Sequence, residues 1–156
     1  MKLNRYFALF TVILGVSVAS QIQAQSTKKL LTRAWSISFE ETLKYLPAKE
    51  KKMFDKMSPD ERRAIKQKME ESYLDFKSDG TCETYMDNTK ERVSWELAAN
   101  GKTLKMSDAS GADDATVEIL KLTKDRFIAR FVSEVESVVE GEKEEVALTM
   151  VFVPKK

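Results

Sequence analysis

At 156 residues the chain has room for one hydrophobic core and an N-terminal extension, without relying on disulfides or metals. Charged residues at 33% and hydrophobic residues at 42% fit a globular domain and exclude bulk disorder. The net charge of +1 offers no electrostatic footprint for a nucleic-acid partner, and the absence of histidine removes the commonest general base and metal ligand.

The first 24 residues have the form of a signal peptide. Lys2 and Arg5 make a basic start, Tyr6 to Ala19 is an apolar run, and Ala24 supplies a small residue before a cut at Gln25. That run is shorter than the roughly 18 residues a spanning helix needs. No cysteine follows it, so a lipoprotein anchor is not expected; the single cysteine, Cys82, lies far downstream. The expected mature chain, 25–156, is periplasmic or secreted and has no transmembrane span. With one cysteine it forms no internal disulfide, and Cys82 reads as a small buried hydrophobe in a strand.

Arg33, Trp35, Ile37 and Phe39 share one phase of an alternating stretch, which predicts a first strand over Leu31–Phe39. The pattern then turns helical, and a two-helix insertion is predicted at about 40–71. Met53, Phe54 and Met57 recur at helical spacing, and Pro47 suits a first helical position. Ser58-Pro59-Asp60-Glu61 spells a second start, with Ser58 as N-cap and Glu61 closing a capping box, followed by Ile65 and Met69 on one stripe. Eight cations against six acids between Pro47 and Glu71, with a thin apolar stripe, suit helices lying over a sheet or a barrel end.

Beyond Ser72 every element reads as strand: Tyr73–Lys77, Thr81–Met86, Arg92–Leu97, Thr103–Ser107, Ala115–Leu122, Arg126 to about Val139, and Glu145–Val153. Asp79-Gly80 and Asn100-Gly101 are hairpin signals of the two-residue type I′ kind, and a plain polar connection separates Met86 from Arg92. The phase switch between Ile119 and Leu122 predicts a bulge. With the first strand these make eight. The expected fold is therefore mainly β: an eight-stranded antiparallel up-and-down barrel with a helical insertion between the first and second strands, a two-sheet sandwich being the rival.

The tryptophan of the early strand (Trp35), the Tyr73-Leu-Asp-Phe-Lys-Ser-Asp-Gly-Thr81 hairpin, the Trp95-Glu-Leu97 to Gly101-Lys-Thr-Leu104 hairpin and Ile119-Leu-Lys-Leu-Thr123 together resemble the bacterial secreted lipocalin-like domain family. The resemblance spans roughly Leu31 to Val153 and implies a small barrel whose lumen takes an apolar ligand. Arg33 stands where lipocalins often carry glycine, two residues before the tryptophan, and the helical insertion is larger than a simple barrel connection. The candidate lining of the lumen is Trp35, Phe76, Trp95, Met106, Phe127, Phe131, Met150 and Phe152.

Nothing in the chain specifies catalysis. There is no Gly-x-Ser-x-Gly elbow, and the 25 acids fix no catalytic pair. No cofactor is implied. The loop Asp108–Asp114 gathers three acids around Gly111 but misses calcium-loop spacing and reads as a polar turn. Glu134 to Glu145 holds six glutamates and one lysine, so a basic-leaning insertion could gate an acidic hairpin if both lie at one barrel end. The function expected is binding of a small hydrophobic ligand in the barrel. The alternative is a non-enzymatic envelope module that docks a protein partner on its outer face, where Val151 and Val153 would add apolar surface.

Overall fold

The computed structural model describes residues 23–108, 114–136 and 143–156, with 114, 133–136 and 143–146 described by backbone alone. The expected signal peptide up to residue 22, most of the Asp108–Asp114 loop and the tip and side chains of the acidic hairpin lie outside the described residues.

Eight antiparallel strands close into a barrel in sequential order. They are β1 (Ala34–Ile37), β2 (Tyr73–Phe76), β3 (Thr81–Met86), β4 (Thr89–Leu97), β5 (Thr103–Ser107), β6 (Asp114–Leu122), β7 (Phe127–Glu136) and β8 (Lys143–Pro154). Closure is made by β1 and β8, with Trp35 opposite Pro154 and Ile37 opposite Phe152. Sequential closure excludes the sandwich, and it leaves the barrel few free edges.

β1 is shorter than expected. Leu31 ends a helix, α1 (residues 23–31), and Phe39 opens another. Residues 31 and 35 are four apart, a spacing that fits both the strand and the helix period, so alternation at Leu31 was ambiguous. Leu31 is fully buried, and its carbonyl accepts the indole N–H of Trp35 at 3.0 Å. α1 packs on the β4–β5 turn, where a Cβ on Gly101 would meet Thr27 Oγ1 at 3.2 Å.

The turns also differ from expectation. At Asp79-Gly80 and Asn100-Gly101 only the glycines have positive φ, 86° and 66°. Asp79 and Asn100 instead accept backbone N–H groups two residues on, from Thr81 and Lys102, each at 2.9 Å, which is the Asx-turn alternative to a two-residue hairpin. The tight hairpin is Asp87-Asn88, where both φ values are positive (49° and 63°) between Met86 and Thr89. Asp and Asn tolerate that region without glycine. The bulge falls where the phase switched: the β6–β7 register shifts between Ile119 and Lys121. It leaves Leu120 facing out, 45% exposed, and packs Ile119 and Leu122 alike against the core.

Between β1 and β2 run α2 (Phe39–Thr42), a 3₁₀ turn (Leu43–Tyr45), α3 (Ala48–Lys56) and α4 (Pro59–Glu71). The capping box forms as spelled. The Ser58 side chain accepts the Glu61 N–H, and the Glu61 carboxylate accepts the Ser58 hydroxyl and the Ser58 N–H, each at 2.7 Å, which together hold the Glu61 carboxyl below its ordinary range. Pro47 is the N-cap of α3, one position before the expected site. α2 has a structural role of its own. Because β1 stops at Ile37, Val151 on β8 has no strand partner there; its N–H donates to Thr42 Oγ1 at 3.0 Å and its carbonyl accepts the Ser38 N–H at 2.8 Å. The helix thus completes the barrel wall where the strand ends. Val151 is fully buried in consequence, which removes it from the apolar outer face expected of a docking module.

Candidate functional site: the covered barrel mouth

The two ends of the barrel are filled differently. In an up-and-down barrel the β1–β2, β3–β4, β5–β6 and β7–β8 connections share one end, so the helical insertion and the acidic hairpin are at the same mouth. The opposite end carries α1 and the β2–β3, β4–β5 and β6–β7 turns.

That opposite end is packed with rings. Phe127 lies 5.7 Å from Trp35, 6.3 Å from Phe76 and 5.3 Å from Phe152, centroid to centroid, and Phe76 meets Trp95 edge-on at 5.4 Å. Trp35, Phe127 and Phe152 are fully buried, and Phe76 all but fully. The indole of Trp95 donates to the carbonyls of Lys77 and Thr81, and Lys28 of α1 sits over its ring at 5.4 Å. Arg33 lies against Trp35 and donates to the Lys124 carbonyl at 2.8 Å, tying the first strand to the β6–β7 turn. Cys82 belongs to this core, and burial pushes its thiol up to about 12. A thiol so held is protonated at neutral pH and is a poor nucleophile.

Among the described residues, two chambers open at the mouth. One, of about 420 Å³, lies between the insertion and the barrel rim. Its walls are mainly apolar, with Phe39, Leu43, Leu46, Phe54 and Ile65 from the insertion, Ile37, Leu148 and Met150 from the barrel, and a set of methionines. Of the chain's seven methionines, Met53, Met57, Met69, Met86 and Met150 line this one space. The second chamber, of about 560 Å³, is the upper lumen, lined by Leu74, Thr84, Val93, Met106 and Phe131 with Met86 again. Met86 is therefore the wall the two chambers share. Both volumes lie in the range of small-molecule sites.

The cover is held by specific contacts. Phe39 and Phe54 rings tilt together at 5.5 Å, joining α2 to α3. Lys66 of α4 bonds Glu40 of α2 at 2.8 Å and lies over the Phe39 ring, and the Glu40 hydrogen bond raises its pKa. Lys68 reaches Asp87 on the β3–β4 turn at 3.7 Å.

Of the eight residues expected to line a lumen, three border the chambers: Met106 and Phe131 the upper lumen, Met150 the space under the helices. Trp35, Phe76, Trp95, Phe127 and Phe152 form the packed end, on neither chamber. The lining residues that the sequence did not assign to a cavity are Met53, Met57, Met69, Met86 and Leu148. The signal for the first three was present as the methionine-bearing stripe of the insertion, which reads equally well as plain packing onto a sheet.

A further group of shifted side chains, Tyr73, Glu83 and Lys90, lies on strands β2, β3 and β4. Glu83 is lowered by hydrogen bonds from Lys90 and Tyr73; Lys90 and Tyr73 are raised by the same carboxylate. Among the described residues no cluster of three or more cysteine, aspartate or glutamate side chains is placed to hold a metal ion, and no helix is long and apolar enough to cross a membrane. Compared with known families and curated proteins, the chain matches no family model and no curated sequence.

Proposed function

We propose that this chain is an exported lipocalin-like protein that binds a small apolar molecule in the covered mouth of its barrel, as a carrier or sensor. One observation carries the reading: a methionine-lined chamber of about 420 Å³ opens beside an upper lumen of about 560 Å³, while the far end of the same barrel is packed solid with rings. Thioether side chains are polarizable and rotamer-rich, so they mould to apolar ligands of varied shape. A closed floor and a helical cover are the arrangement such a ligand needs to leave water. The lipocalin-like reading draws its support from the sequential eight-stranded closure and the buried first-strand Trp35.

The experiment is to purify the protein from the envelope of its own host and examine it by native mass spectrometry and organic extraction, then to titrate the stripped protein with an environment-sensitive apolar fluorophore. Binding of the probe in a one-to-one complex, displaced by extracted material, is the expected result. A protein that carries nothing and leaves the probe dark refutes the proposal.

A further inference from the structure

The charged groups at the mouth narrow the class of ligand. Across both chambers the charged lining residues are Glu50, Asp87, Glu91, Lys68, Arg92 and Asp108. The two cations are committed to carboxylates: Lys68 stands 3.7 Å from Asp87, and Arg92 stands 3.6 Å from Asp79 and donates to Thr81 Oγ1 at 3.2 Å. Glu50 and Glu91, both exposed at the rim, have no ion pair among the described residues. The other lysines of α3, Lys49, Lys51, Lys52 and Lys56, do not line either chamber. An apolar space of this kind with uncompensated carboxylates at its rim attracts a positive head group and repels a negative one.

We infer, on the basis of the carrier reading, that the ligand is an elongated amphiphile with a cationic or uncharged head. Its hydrocarbon tail lies in the methionine-lined chamber and passes Met86 into the upper lumen, and its head rests among Glu50, Asp87 and Glu91. A fatty carboxylate is the disfavoured member of the class. Met86 suits the passage because an unbranched thioether can swing between rotamers without leaving a polar atom unsatisfied.

The test is a matched series in which the chain length is constant and the head varies: dodecyltrimethylammonium, dodecanol and dodecanoate. Each is titrated calorimetrically below its micelle concentration into the full-length mature protein at low and at high salt. The expected order is ammonium, then alcohol, then carboxylate, with about three- to tenfold between the extremes, the size that partly exposed charge pairs supply. High salt should compress the difference. The Glu50→Gln, Glu91→Gln double variant should abolish the order while leaving dodecanol binding intact, which also verifies that the variant is folded. Dodecanoate binding as tightly as the ammonium compound, or an order unchanged in the double variant, overturns the inference and leaves the apolar site standing. If none of the three binds, the carrier reading falls with it.

Discussion

Replacing Thr42 by valine isolates the joint between the helical cover and the barrel. Thr42 is 2% exposed, and its hydroxyl oxygen accepts the Val151 N–H at 3.0 Å. Valine keeps the shape and the β-branch but has no acceptor, so the amide of a fully buried strand residue loses its partner. β1 cannot supply one, because it ends at Ile37 and its last pairing is with Phe152. Leaving a buried donor unsatisfied costs about 1–3 kcal/mol. With a urea m-value of about 2 kcal/mol/M, that is a fall in midpoint of about 0.5–1.5 M at constant m. Thr42→Ser is the control: it loses a methyl but keeps the oxygen. The deciding measurement is amide exchange at Val151, which should accelerate in the valine variant and stay protected in the serine variant. A valine variant as stable as the parent, with Val151 still protected, would refute the claim that α2 completes the wall.

Two further predictions concern the filled end. Phe127→Ala removes the ring at the centre of the Trp35, Phe76 and Phe152 cluster and should cost about 3–5 kcal/mol by denaturation, whereas Met86→Ala, on a wall with space on both sides, should cost about 2 kcal/mol or less and alter ligand affinity instead. Equal losses at the two positions would contradict the division of the barrel into packed and hollow ends. For Cys82, burial raises the folded pKa from 9.0 to about 12, so above pH 9 the unfolded state releases a proton that the native state retains. Stability therefore falls as pH rises from about 9 towards 12, and Cys82→Ala should flatten that slope in alkaline denaturation curves; an identical slope in the variant would count against it. In the native protein at neutral pH a thiol reagent should label Cys82 only after unfolding.

Much of the barrel was readable because a half-buried strand advertises itself by alternation. The turn carrying Gly80, the capping box at Ser58 and the bulge near Leu120 are all local chemistry, and each could be placed from neighbouring residues. Three features escaped for physical reasons. Leu31 and Trp35 satisfy two periods at once, so a helix ending in the barrel floor looked like the start of a strand. Asp87-Asn88 turns without glycine, and so lacked the usual mark of positive φ. The filling of the interior depends on which inward residues meet at one level of a tilted barrel, and that follows from register between strands, not from the sequence of any one of them. Phe127 and Phe131 are alike in the chain; the register puts the first among three aromatic rings and the second beside open space.

The shortness of β1 makes the helical insertion part of the barrel, and this leads to a prediction about its removal. Replacing residues 39–71 by a short glycine-serine connection would keep all eight strands, yet it would strip Thr42 from Val151 and uncover the stretch of β8 that β1 does not reach. The strand would then present free N–H and C=O groups beside Leu148 and Met150, whose apolar side chains would lose Phe39, Phe54 and Met69 across the chamber. A free edge next to fresh apolar surface pairs with other chains. The excised variant should therefore self-associate in light scattering at concentrations where the parent is monodisperse, and should lose the apolar probe. The packed end does not depend on the insertion, so the near-ultraviolet signal of Trp35 and Trp95 should persist in whatever folded material remains. A variant that matches the parent in association state and still binds the probe would mean that the helices are an ornament on a self-sufficient barrel, and the site would have to be sought in the lumen alone.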